Sequence, residues 1–235
     1  MAVSESEILA ALNECLPPAL TDLWMDQLVQ SNQMALLHCQ KMGVVGAERR
    51  DVFGTLQRAI FEGLWRRAIP AEFPHVKGRL RKNKQRTSSY TTMHVGRFVI
   101  TQSSVNGTKL PRLAHFRNVL AQTSQLSLWD DAIPDPKSLI YAILLHGHSR
   151  DYSLNSAKIV IPDKSCESPL ATLSLTAALI AAMARADERL ATTHRPDAQP
   201  ANDSTKPADS PLPPENVPEP AAPLLRAKKK REGEK

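Results

Sequence analysis

Three groups of residues in this chain have types and spacings that suit chemistry. The densest is a run of cations: Lys77, Arg79, Arg81, Lys82, Lys84 and Arg86 fill six of the ten places from 77 to 86, and Asn83, Gln85, Thr87, Ser88, Ser89 and Tyr90 lie between or just after them. Cations, amides and hydroxyls of this kind donate to phosphate oxygens, and a tyrosine ring can stack on a base. The run belongs to a longer stretch, residues 73–129, in which 57 residues include no Asp or Glu but ten Lys or Arg, Arg97 among them. A cationic segment gains affinity for a polyanion by releasing its counterions. Were the run neutralised internally, its partners would be acids such as Asp22, Asp26, Glu48 or Asp51. The missing acids next door favour an external partner, so the expected contacts to nucleic acid are Lys77, Arg79, Arg81, Lys82, Lys84, Arg86 and Arg97.

The second group is His146-Gly147-His148-Ser149-Arg150-Asp151, which follows directly on the apolar run 139–145. Sites are often built at strand ends, where a rigid scaffold meets an exposed loop. Two imidazoles and a carboxylate suit a divalent metal, with Asp163 as a possible fourth ligand, so His146, His148 and Asp151 define the alternative reading: a metal-dependent, nuclease-like enzyme. No cofactor beyond such an ion is implied. The chain has no P-loop, no GxSxG elbow, no HExxH and no dinucleotide-binding glycine pattern. The third group is Cys15, Cys39 and Cys166, odd in number and without a CxxC pair, which reads as reduced thiols rather than a disulfide or zinc framework.

The elements that must position these groups follow from periodicity. With 42% hydrophobic and 23% charged residues in 235, the composition is that of a globular protein with a real core, and the net charge is +6. Ser4 and Glu7 have capping-box spacing ahead of Ile8, Leu9, Leu12 and Leu16; a second helix opens at Thr21 or Asp22 and runs to Gly43. After Gly46 a third helix places Phe53, Leu56, Ile60 and Leu64 on one face and stops at Pro70 and Pro74. Arg49-Arg50 and Arg66-Arg67 suggest a groove-reading helix, but Glu48, Asp51 and Glu62 dilute them and the helix before it exceeds twenty residues. Helical packing, or docking of a protein partner or second copy as in an assembly subunit, is the expectation for this unit.

Residues 75–92 lack periodicity and read as a loop or extended arm. Strands are expected near 94–102, 138–146 and 157–161, with Asn106-Gly107 as a turn, and helices over 111–125 and 168–193, the latter opened by Ser168-Pro169. Nine of the eighteen prolines fall after Arg195 and no aromatic residue follows Tyr152, so residues 195–235, which include the charge run Lys228-Lys229-Lys230-Arg231, read as a disordered tail. The resulting expectation is an α+β fold: a helical unit over 1–72, a basic unit over 73–194 with a small mixed sheet covered by two helices, and a tail. The acidic start Met1-Ala-Val-Ser-Glu-Ser-Glu is unlike a secretory leader, and the uncharged segment 168–184 is short for a membrane span, so a soluble cytoplasmic protein is expected.

Overall fold

Helix α1 (Glu5–Cys15) starts on a complete capping box. Ser4 Oγ accepts the Glu7 N–H at 3.3 Å and the Glu7 carboxylate accepts the Ser4 N–H at 2.8 Å. The Ser4 N–H and the Ser4 hydroxyl, which donates to the same carboxylate at 2.9 Å, stabilise its ionised form and hold the Glu7 carboxyl below its ordinary range. The structure is a computed structural model that describes residues 4–83, 89–105, 110–112, 114–124 and 139–193. The expected tail, the Asn106-Gly107 turn and Lys84 and Arg86 lie outside the described residues.

Pro18 opens α2 (Pro18–Lys41), three residues earlier than Thr21, because a first-turn position has no intrahelical bond for its missing N–H to lose. Helix α3 (Gly46–Glu72) runs through Pro70 and closes two residues later on a Phe73 N–H to Ile69 carbonyl bond of 2.7 Å. Proline there interrupts only the last turn, so the end comes slightly later than expected. Helices α2 and α3 are held together by Trp24 and Trp65, edge to face at 5.2 Å, with Phe61 stacked on Trp65 at 5.3 Å; all three are fully buried.

The arm expected at 75–92 is a hairpin. Lys77–Lys82 forms β1 and pairs antiparallel with β2 (Ser89–Val95), Lys77 facing His94, Arg79 facing Thr92 and Arg81 facing Tyr90. Its strand character is hidden in the sequence because an edge strand needs no apolar side, and natural edges carry cations. The expected strand at 94–102 is likewise two strands. The chain reverses at Gly96 (φ +54°), and β3 (Phe98–Ser104) returns antiparallel to β2.

Helix α4 (His115–Ser124) precedes β4 (Ile140–His148), which lies parallel to β3, and β5 (Leu154–Pro162) and β6 (Pro169–Ser174) complete the sheet antiparallel. The order is β1-β2-β3-β4-β5-β6. Helix α5 (Thr176–Thr193) therefore begins eight residues after Ser168. Residues 169–174 become a strand because β5 offers an open edge and Ala171 finds a buried place beside it, and Pro169 is tolerated at a strand's first position.

Alternation assigns the faces. Met93, Val95, Phe98, Ile100, Ala142, Leu144, Ala157 and Ile159 share one core with residues of α1, α2, α3 and α5. On the other face Tyr141, Ile143, Leu145 and Val160 pack with Ala121 of α4. Strand β4 is buried on both faces over nearly its whole length, as its continuous apolar run implies. The fold is α+β. No helix among the described residues is long and apolar enough to cross a membrane.

A Cβ at Gly96 would lie 2.5 Å from Cys15 Sγ, on top of a left-handed backbone. Gly96→Ala is expected to destabilise the protein by about 1–3 kcal/mol in denaturant unfolding. Adding Cys15→Ala should recover only the steric part; full recovery would mean the backbone at 96 is unstrained.

Candidate functional site: a cationic strand face and a histidine cleft

Because β1 alternates, its cations divide between two faces. A Cβ on Gly78 would meet Arg66 Cα of α3 at 3.0 Å, so Gly78, Leu80 and Lys82 lie on the helix side. Lys77, Arg79 and Arg81 point the other way, beside His94, Thr92 and Tyr90 across the ladder, and all three are exposed. Burial first, and then Arg79, Arg81 and Lys77, push the His94 pKa below its ordinary value, so the three cations act on one shared space. Among the described residues none of Lys77, Arg79, Arg81, Lys82 or Arg97 forms an ion pair; Asp26, an acid that might have neutralised them, is held instead by Arg185 at 2.9 Å and Arg189 at 3.6 Å. Arg97 sits in the β2–β3 turn, where its carbonyl accepts the Ile140 N–H at 2.8 Å.

Tyr90 does not offer a free ring. It stacks on Phe116 of α4 with centroids 4.0 Å apart and planes 17° apart, and the Arg117 guanidinium lies 5.1 Å from the other ring of that pair. The expected base-stacking residue is therefore half occupied by the protein itself.

The two histidines are brought together and Asp151 is not. His146 and His148, two apart on β4, face α3 with ring centroids 5.2 Å apart. Asp151 lies in the β4–β5 turn, where it accepts from the Ser149 hydroxyl, the Ser153 hydroxyl at 2.6 Å and the Ser153 N–H at 3.3 Å. These bonds hold its carboxyl down at about 2 and organise the turn in which Tyr152 has φ +70°. Among the described residues no group of three or more His, Cys, Asp or Glu side chains could hold a metal ion. The three-ligand expectation fails because Asp151 serves the turn, while a strand's alternation puts both imidazoles on its helix-facing side.

His146 ends a buried polar chain. Glu62 Oε1 accepts from Gln102 Nε2 at 3.3 Å and from Arg58 Nε at 2.9 Å, and Oε2 accepts from the Thr91 hydroxyl at 3.0 Å. A carboxylate only accepts, so Gln102 must turn its amide nitrogen to Glu62 and its Oε1 to His146 Nε2, 3.0 Å away. His146 thus carries its proton on Nε2, and Nδ1 is left buried without a partner. Glu62 and Gln102 were not legible as a site: Glu62 reads as a surface charge on α3, and Gln102 as one polar residue in a strand.

His148 extends the arrangement outward. Its Nδ1 is 3.2 Å from Ser104 Oγ, its Nε2 has no partner, and its ring meets Phe53 edge-on at 5.4 Å. Phe53 in turn touches Tyr152 at 4.9 Å, and the Tyr152 carbonyl accepts from Asn32 Nδ2 of α2 at 3.2 Å, which ties the turn to the helices. Chemically this is a pair of neutral imidazoles at the edge of a cleft, suited to hydrogen bonding rather than to carrying charge. Comparison with known protein families, curated proteins and solved structures finds no match.

Burial drives the His146 pKa from 6.5 to about 3, with His148 adding to the effect, and burial lowers His148 to about 4. Both are neutral when folded and free to protonate when unfolded, so the unfolded chain binds more protons below pH 6.5. Stability is complete above that pH and is lost as pH falls toward 4, at about 1.4 kcal/mol per pH unit from His146. His146→Gln, which keeps a donor and cannot titrate, should flatten the pH profile of urea unfolding between 6.5 and 4. An unchanged slope would show that His146 is solvated or charged in the native state.

Proposed function

We propose that this protein binds nucleic acid through its phosphates, with the outer face of β1 as the contact. The observation that carries this reading is the row Lys77, Arg79 and Arg81: three exposed cations at alternate positions of one edge strand, none ion-paired among the described residues. A strand holds such side chains roughly 6.6 Å apart in a line, which suits successive phosphates better than a loose loop would. Three like charges in a row concentrate positive potential on one face, which draws an anionic partner. Lys82 and Arg97 add to the field from the helix side and the β2–β3 turn. Lys84 and Arg86 continue the same run of sequence outside the described residues.

The contact is to backbone phosphates, so binding should be strong at low salt and only mildly dependent on sequence. Lys77→Gln, Arg79→Gln and Arg81→Gln together should flatten the plot of log affinity against log salt by about 2–3, three phosphate contacts at 0.7 to 0.9 each. The melting temperature should move little, because exposed unpaired charges contribute little to folding. Mobility-shift titrations at several salt concentrations measure the slope. An unchanged slope would remove β1 as the contact.

A further inference from the structure

The strands β3 and β4 are the one parallel pair among the described residues, and their carboxyl ends open together beside the middle of α3. Ligands in open sheets gather at such ends. Here a cleft has two lobes that meet at Gly54 and Ser104. One lobe, of about 520 Å³, has Phe53, His148 and Tyr152 as its ring-bearing wall and Arg50 and Arg150 beside them. The other, of about 220 Å³, is lined by Gln57, Arg58, Gln102, Ser103 and Arg117. Together they have the size of a small-ligand site.

Charge gives the first argument. The described lining includes four arginines and neither an Asp nor a Glu. Arg58 is partly satisfied by Glu62, but Arg117 has no carboxylate among the described residues. It is half-buried, donates to Ser103 Oγ at 3.1 Å and to the Arg112 carbonyl at 2.9 Å, and keeps its Nε without a partner. This desolvated guanidinium lies near Arg58 and is met by the Tyr141 hydroxyl and the Phe116 ring, with no carboxylate among the described residues to neutralise it as a bound anion would.

Unfilled hydrogen-bonding capacity gives the second argument. Gln57 is 1% exposed, yet its Nε2 has no partner, and the same holds for His148 Nε2. The 3.2 Å bond between Ser104 Oγ and His148 Nδ1 can run in either direction, so that Nε2 donates in one tautomer and accepts in the other. Arg117, Gln57 and His148 thus border one cleft, each with a buried nitrogen that has no partner among the described residues, and such atoms are costly to leave unmet.

Gly54 gives the third. It lies in the interior of α3, where glycine costs about 1 kcal/mol against alanine, and a Cβ there would meet nothing within 4 Å. No backbone geometry or packing demands glycine at 54. What it does is leave the junction of the two lobes empty.

We propose that this cleft binds a phosphate monoester carrying a planar ring, a free nucleoside monophosphate or the phosphorylated end of a nucleic-acid strand, with the phosphate at Arg117, Gln57, Ser103 and Ser104 and the ring in the wider lobe beside His148 and Tyr152. This site is separate from the β1 face and does not depend on it. Calorimetry on the full chain with adenosine 5′-monophosphate, adenosine and inorganic phosphate tests it. The monophosphate should bind, phosphate should compete with it more weakly, and adenosine should bind at least about tenfold more weakly than the monophosphate.

Gly54→Leu, whose Cβ would meet nothing within 4 Å, places a bulky side chain at the junction and should lower monophosphate affinity at least about tenfold while circular dichroism and melting stay native. Arg117→Gln should do the same, and Gly54→Leu stands alone if that variant unfolds. A 5′-phosphorylated oligonucleotide that displaces the monophosphate where its 5′-hydroxyl twin does not would make the strand end the source; displacement by neither makes it the free nucleotide. No binding of monophosphate or phosphate to the wild type, or undiminished binding to Gly54→Leu, overturns the proposal. The Lys77, Arg79 and Arg81 triple variant should retain monophosphate binding, so the two readings fail separately.

Discussion

Glu62 is only 8% exposed, and it stands where α3 crosses the sheet. A carboxylate in that place is tolerated only if its oxygens are fully hydrogen-bonded, and the donors come from different elements: Arg58 on α3 itself, Thr91 on β2 and Gln102 on β3. Gln102 passes the constraint to His146 on β4. One buried charge thereby sets the helix against three adjacent strands, and a slip of one residue in any of them would turn its donor to the opposite face. The aromatic packing of Trp24, Phe61 and Trp65 adds large buried apolar side chains in the same region but is less directional.

The rest of the molecule follows from that placement. With α1, α2, α3 and α5 on one side, α4 is the one helix among the described residues on the other, and its packing falls over β4. The edge hairpin β1–β2 is left with an outer face that, among the described residues, is backed by neither the main helical layer nor an ion-paired acid. That is why Lys77, Arg79 and Arg81 stand together in solvent while Tyr90, further along the same face, is taken by Phe116. The parallel step from β3 to β4 has a different consequence: it brings Ser104 and His148 to the same end of the sheet, beside Gly54 and Gln57 of α3.

The sheet also shows where charge and stability oppose each other. The histidines at the end of β4 are kept neutral by burial, and the cations of β1 are kept charged by exposure. The cost is carried by the packed helices and by the fully buried β4.

Local sequence determined the elements whose cause is local. The capping box at Ser4 and Glu7, the helical periods of α2 and α3, the continuous apolar run of β4 and the acid-free stretch around β1 are each written in neighbouring residues, and they yield the α+β class. The rest depends on partners distant in the chain. Lys77–Lys82 is a strand only because β2 offers it a ladder, and Pro169–Ser174 is a strand rather than a helical turn because β5 has an open edge. Asp151 reads as a metal ligand until the turn claims it, and Glu62 reads as surface charge until the sheet closes over it. Spacing along a chain says which side chains share a face; which buried polar atoms meet, and which are left without a partner, is decided when separate elements come together and exclude water.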